Sequence, residues 1–257
     1  MPHRVQRAWL NGLEFASVHP ALMLQHINEQ APKILYKTAE RPGGGLMELA
    51  RVTSQRDIIL EFAIREGLDF AARQHALQAA YAWAMAGGVL ELSDHPGQFI
   101  RVSLTQAPAM GQLRDWTHDL SMTFTAAWFP YWQDKQLSTV SISGMDTGSA
   151  ELFVLGTAQT CLEAEISPVA SPLHYLTLTS LQSSMGLDLS SAPVQVGSTI
   201  RIDYDERHLL RIMCGTDHLL RYRFGADDVI LMPGQQTIMY SCSVPCYITL
   251  KSRGVWL

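Results

Sequence analysis

The chain has 257 residues, 47% of them hydrophobic and 17% charged, with a formal net charge of −5, a composition that excludes a disordered, solvating polymer. The acidic balance and the lack of any Lys/Arg cluster exclude an electrostatic footprint for nucleic acid. No run of about 18 uncharged apolar residues and no signal-peptide pattern occurs, so membrane insertion is not expected and the protein is expected in the cytoplasm after synthesis.

The length suits one large domain or two ordinary ones. Few charges among many β-branched and aromatic residues suggest that part of the surface is reserved for subunit contacts. Residues 7–15 read as a short hairpin, because Asn11-Gly12 supplies the positive-φ pair of a two-residue turn. The pattern weakens from Gln25 to Arg56, and the run Lys37-Thr38-Ala39-Glu40-Arg41-Pro42-Gly43-Gly44-Gly45 has the composition of a pliable exposed loop between two extended pieces. Ile58, Leu60, Phe62 and Ile64 then recur at period two, a buried strand face.

A helix is predicted over 69–86, where Ala, Leu, Gln, Met and Trp replace β-branched residues and Gly87-Gly88 supplies the stop. Its apolar stripe is Ala72, Ala76, Ala79, Ala80 and Trp83, with Leu77, Tyr81 and Met85 beside it. Two short strands, 89–92 and 99–104, flank the turn-forming Ser93-Asp94-His95-Pro96-Gly97. The clearest strand runs over 119–128, with Leu120, Met122, Phe124, Ala126 and Trp128 on one face.

After Trp128-Phe129-Pro130-Tyr131-Trp132 the polar Gln133-Asp134-Lys135-Gln136 marks a boundary near residue 136, giving domains 1–136 and 137–257. The second reads as short strands at turn-marked intervals, as in a sandwich or jelly roll. They are 199–204, 208–214, 219–224, 229–232, 237–242 and 246–251, with no helix signal. The fold class is therefore mainly β, with α+β character in the first half.

The residues offer little chemistry. The nine histidines form no H-x-x-x-H, H-E-x-x-H or H-x-H group, and zinc sites need ligands at such spacings or as paired Cys. Cys242-Ser243-Val244-Pro245-Cys246 suits a structural hairpin better than a metal knuckle, and the four cysteines are expected to be small buried hydrophobes. Asp115, His118 and Asp119 form a weak acid–base candidate, and Asp203, Asp205 and Glu206 a weak cation candidate; both read better as caps at strand ends. No G-x-S-x-G elbow is present, and Gly43-Gly44-Gly45 lacks the Lys-Ser/Thr of a phosphate loop. No catalytic residue, metal or cofactor is predicted. The aromatics at 128–132 fit core packing better than a sugar-stacking platform.

Three ordered blocks resemble the distal tail (Dit) proteins of siphophage-type bacteriophages. They are Arg56-Asp57-Ile58-Ile59-Leu60 with the helix and strands behind it; the strand ending Ala127-Trp128-Phe129-Pro130-Tyr131-Trp132; and the carboxy-terminal set of Gly156-Thr157-Ala158, Val196 to Tyr204, Leu231-Met232-Pro233-Gly234 and the last strand to Trp256. The resemblance implies a tail-tube-like first domain, a β-sandwich with one packed helix that builds a homo-hexameric ring, followed by a galectin-like β-sandwich. It further implies a non-enzymatic virion protein of the tail tip or baseplate, assembled in the host cytoplasm. Its partners would be other copies of itself, the tail tube protein and the tail-tip hub or tail-associated protein.

A ring repeats one heterologous contact until it closes, so each copy needs two complementary patches. The loop residues Ile34, Leu35, Lys37, Arg41, Gly43, Gly44, Gly45, Leu46 and Met47 are the candidates for that contact, although a bland surface loop would have the same composition. The rival reading is a carbohydrate-binding β-sandwich adhesion module, which requires exposed aromatics on a sheet face.

Overall fold

A computed structural model describes residues 6–40, 46–108 and 120–257. The chain divides into two compact units, Met1–Trp132 with Leu257, and Gln133–Trp256.

In the first unit Ala8–Leu10 (β1) and Leu13–Glu14 (β2) form the expected hairpin, with Leu10 opposite Leu13 and φ of 52° and 82° at Asn11 and Gly12. Next come a one-turn helix, Phe15–Val18 (α1), and the strands Leu22–Glu29 (β3), Ile34–Glu40 (β4), Leu46–Thr53 (β5) and Arg56–Ile64 (β6). Phe70–Met85 (α2), Gly88–Leu92 (β7), Gln98–Gln106 (β8) and Leu120–Ala126 (β9) complete it. The strands pair antiparallel in the order β3-β6-β9-β8-β7-β1-β2, while among the described residues β4 and β5 pair only with each other.

The predicted faces meet in this sheet. Ile58 lies opposite Phe124 and Leu60 opposite Met122, and these side chains, with Phe62, Ile64, Leu120 and Ala126, are buried. The face repeats every second residue because the strand does, and burying each such side chain contributes roughly 1.5–3 kcal/mol. Helix α2 opens on Asp69, whose Oδ1 accepts from the Ala72 amide at 2.7 Å, an N-cap. Its buried residues are Ala76, Leu77, Ala80, Trp83 and Ala84. At about 100° per residue this arc is centred on Ala80, placing Tyr81 about 100° and Met85 about 140° off its centre. Those two side chains are accordingly exposed, and Ala72 and Ala79 only half-buried, which narrows the predicted stripe. Trp83 packs edge-on against Phe15 and Phe124, and its Nε1 donates to the Leu13 carbonyl at 3.0 Å.

Trp128 is a correction: β9 ends at Ala126 and Trp128 is 66% exposed. Pro130 and Trp132 turn inward instead. The predicted alternation runs one step too far because the chain leaves its partner β6 where Ala126 faces Arg56.

In the second unit the polar segment read as a boundary belongs to a 23-residue strand, Trp132–Val154 (β10). Arg253 Nη1 donates to the Asp134 carbonyl at 2.7 Å and Trp256 Nε1 to Asp134 Oδ1 at 2.9 Å, so long-range partners hold this locally polar segment as strand. Thr160–Cys161 (β11), Glu163–Pro168 (β12), Tyr175–Thr179 (β13), Ser184–Asp188 (β14), Ile200–Tyr204 (β15), Leu210–Cys214 (β16) and Asp217–His218 (β17) follow. Then come Arg223–Gly225 (β18), Ile230–Leu231 (β19) and the 23-residue Gly234–Trp256 (β20).

Strand β20 changes partners along its length. Met239–Cys242 pairs with β13, whose other edge continues to β14 and β18. Cys246–Lys251 pairs with β12, which continues to β15, β16 and β17. Proline cannot donate to a ladder, and Pro245 sits at this change. The expected hairpin between Cys242 and Cys246 is therefore replaced by one strand serving two sets of neighbours. Ile166, Ile200, Ile212, Ile248 and Leu250 from one set and Leu176, Leu178, Met185 and Leu187 from the other share the core.

The strand expected over 219–224 is also corrected. Leu219 is buried, Leu220–Tyr222 makes a single 3-10 turn, and only Arg223–Gly225 is extended. The Leu219 amide bonds to the Ile212 carbonyl and the Tyr222 amide to the Leu219 carbonyl, which closes a turn where a strand would leave both open.

Candidate functional site

Of the predicted interface residues, Ile34, Leu35, Lys37, Leu46 and Met47 fall on a β-ribbon. Strands β4 and β5 pair from Ile34 opposite Thr53 to Glu40 opposite Leu46, with a register shift between Lys37 and Thr38. Lys37 pairs through its backbone with Ala50, and Met47 with Ala39. Arg41, Gly43, Gly44 and Gly45 lie outside the described residues. Lys37 to Glu40 read as loop from local composition, and the cross-strand pairing that makes them strand comes from residues up to 13 positions away in a register only the fold defines.

Ile34, Leu35 and Tyr36 are 41%, 56% and 56% exposed. Successive strand residues point to opposite faces, so this run bares apolar surface on both sides of the ribbon. A two-stranded ribbon alone is marginally stable in water, and a doubly apolar one is a surface suited to being covered. Tyr36, which the sequence reading passed over, is exposed on the same run.

The ribbon rises from a fixed base. The Lys33 amide bonds the Gln55 carbonyl at 2.8 Å, the Ser54 amide bonds the Lys33 carbonyl at 2.7 Å, and Lys33 Nζ pairs with Asp57 Oδ2 at 2.8 Å. Asp57 Oδ1 accepts from Thr125 Oγ1 at 2.7 Å. Burial works against the charged form of Asp57, but the hydrogen bonds from Lys33 and Thr125 and the lysine charge outweigh it and hold the carboxyl below its ordinary range.

Beside it, Glu29 gathers three donors from distant parts of the chain. Arg56 Nη1 lies at 2.8 Å, His95 Nε2 at 2.7 Å and Trp132 Nε1 at 2.6 Å. His95 stacks on the Trp132 ring at 4.1 Å. Burial again opposes ionisation of Glu29, and the hydrogen bonds from His95 and Trp132, with the charges of His95 and Arg56, keep its carboxyl low. Arg56 is 2% exposed and its Nε has no partner among the described residues, so the guanidinium depends on Glu29 for compensation. No sequence spacing announces this cluster, whose members come from β3, β6, the β7–β8 turn and the start of β10.

The weaker chemical candidates resolve into structural roles where they are described. Asp203 binds Arg211 through both carboxylate oxygens at 2.8 and 3.0 Å, and Asp205 Oδ1 accepts the amides of Arg207 and Leu209 at 2.8 and 2.9 Å. Asp115, His118 and Asp119 lie outside the described residues. Among the described residues no three His, Cys, Asp or Glu side chains gather as a metal site would require. Cys242 and Cys246 are buried free thiols; Cys161 and Cys214 are partly buried, and burial with the nearby Asp228 charge pushes the Cys161 thiol up to about 11.

Two units of antiparallel β-strands, the first with the helices α1 and α2 and the β4–β5 ribbon, define a mainly β chain. Its fold is shared with solved phage Dit and baseplate proteins. The chain superposes on the SPP1 Dit protein, described as a paradigm of the hub adsorption apparatus in phages infecting Gram-positive hosts, with a TM-score of 0.67 and 12% identity over 97% of this chain and 99% of that one. It is also similar to a chain of the phage P2 baseplate in its activated conformation with Ca, at TM-score 0.52 and 10% identity over 98% of both chains. A baseplate structure with Sr gives a TM-score of 0.51 at 11% identity over 97% of this chain and 98% of that one. No family model and no curated protein sequence matches the chain.

Proposed function

We propose that this protein is a non-enzymatic structural subunit of a phage tail tip. Six copies form a ring that joins the tail tube protein on one side to the tail-tip hub and host-recognition proteins on the other. The observation that carries this reading is the fold shared with a Dit hub protein over 97% of the chain, both units included. In this reading the first unit is the tail-tube-like ring former and the second a galectin-like sandwich.

The ribbon of β4 and β5 makes the subunit contact, through Ile34, Leu35, Lys37, Leu46 and Met47, together with Arg41, Gly43, Gly44 and Gly45, which lie between the two strands in the sequence. It suits a heterologous contact because it presents apolar side chains on both faces while its base is fixed by Lys33 and Asp57. Electron microscopy of the purified protein, alone and mixed with its tail tube protein, tests the reading. Closed six-fold rings with outward lobes are expected. Particles that stay single copies under both conditions refute it.

A further inference from the structure

We propose that the cleft formed by β13, β14, β18 and the Leu220–Tyr222 turn is a binding site for a neutral oligosaccharide. This inference is independent of the ring reading, because it concerns the second unit alone.

The cleft is built on a cross-strand juxtaposition. Tyr175 lies opposite Asp188 across β13 and β14, and Gly186 lies opposite Phe224 across β14 and β18. Gly186 has no side chain, and the Phe224 ring occupies that space: a Cβ at 186 would overlap it. Phe224 is thereby laid over the sheet, 5.9 Å from the Tyr175 ring with the planes 23° apart. The two rings remain 39% and 43% exposed. Near-parallel, offset aromatic faces carry negative potential that attracts the polarised C–H groups on the flat side of a pyranose. An aromatic pair serving only the core would not be left this open.

Polar groups around the rings are of the kind that orient hydroxyls. Asp188 Oδ1 is fixed by the Ser190 amide at 3.1 Å and hydroxyl at 2.6 Å, while Oδ2 takes no hydrogen bond from the described residues. Arg223 is held by Asp227 at 2.6 Å. The Arg221 guanidinium lies 4.8 Å from the Tyr222 ring centroid and pairs with no carboxylate among the described residues. One acceptor and one donor of opposite charge, unpaired among the described residues, therefore line the cleft, a balance suited to hydroxyl groups. Recognition of a sulfate, phosphate or carboxylate would call for unopposed cations.

The cleft measures about 630 Å³, inside the roughly 300–1,000 Å³ range of small-molecule sites. A second cleft of about 590 Å³, lined by Pro193, Gln195, Thr216 and His218, shares Arg221 and Tyr222 with the first. Two adjoining open clefts suit a ligand of several linked rings better than a single sugar.

The test uses the full-length protein on an array of printed bacterial surface oligosaccharides, followed by titration of the retained glycan in solution. Retention of at least one neutral oligosaccharide is expected. Affinity should fall by about threefold to tenfold in Tyr175→Ala and in Phe224→Ala, the loss of one aromatic stacking contact each. Because Phe224 also packs on Gly186, Arg221→Gln and Asp188→Asn, both at exposed positions, serve as variants that leave packing intact, and each should weaken binding with an unchanged circular dichroism spectrum. Three results overturn the proposal: no glycan retained at millimolar concentration, retention confined to anionic glycans, or affinity unmoved by all four substitutions. Loss of a tail-protein contact in Phe224→Ala without any glycan binding would assign the cleft to a protein partner and equally end the saccharide assignment.

Discussion

Replacing Glu29 by Ala should destabilise the first unit far more than a half-exposed carboxylate ordinarily would. Arg56 is 2% exposed and one of its nitrogens already lacks a partner, so the substitution leaves a buried cation with its counter-charge gone, a loss of about 3–5 kcal/mol. The fully buried Trp132 also loses the acceptor of its indole N–H, which costs about 1–3 kcal/mol where no water replaces it. Glu29 is itself 26% exposed, so water screens part of both effects and a net loss of about 4 kcal/mol is the reasoned figure. With a urea slope of about 2 kcal/mol/M, the unfolding midpoint should drop by about 2 M, read by tryptophan fluorescence. Glu29→Gln keeps an acceptor without the charge and should lose about half as much. Glu29→Leu combined with Arg56→Met removes both charges and should recover most of the deficit. A loss under about 1 kcal/mol in Glu29→Ala, or a double variant as unstable as the two single losses added, would refute the dependence of Arg56 on Glu29.

The pH dependence has a defined sign. The folded carboxyls of Glu29 and Asp57 are depressed, so their contribution is fully present above the unfolded carboxylate range and is lost as pH falls through their folded values. Urea midpoints of a Glu29→Gln, Asp57→Asn variant should trail the parent at pH 7 and converge with it in acid; a gap that widens on acidification contradicts this sign. For the ribbon, Ser at positions 34, 35 and 36 in place of Ile, Leu and Tyr should leave the unfolding midpoint within about 0.5 kcal/mol of the parent, since those side chains are exposed, while abolishing ring closure in electron micrographs. A destabilised triple variant, or rings that still close, would show that the ribbon is not the subunit contact.

What could be read from the residues alone is what repeats locally. The buried faces of β6 and β9 are written at every second position, the Asp69 cap and Ala-rich stretch specify α2, and Asn11-Gly12 specifies the first turn, because each rests on interactions within a few residues. The mainly β class follows from the same local signals.

Long-range partners decided the rest. Lys37 to Glu40 read as loop in the sequence where the structure pairs them with β5 through cross-strand hydrogen bonds, and Gln133 to Gln136 read as a boundary where the structure has the start of β10, which Arg253 and Trp256 hold from more than 100 residues away. Strand β20 looks like two pieces around Pro245 because only its neighbours show that one strand has exchanged partners. The Glu29 cluster and the Tyr175–Phe224 platform join positions 27 to 103 residues apart and 49 residues apart, respectively, and sequence spacing carries no trace of either. Periodicity records which face of an element is buried, whereas the identity of the element that covers it depends on how the whole chain closes its hydrogen bonds and fills its core.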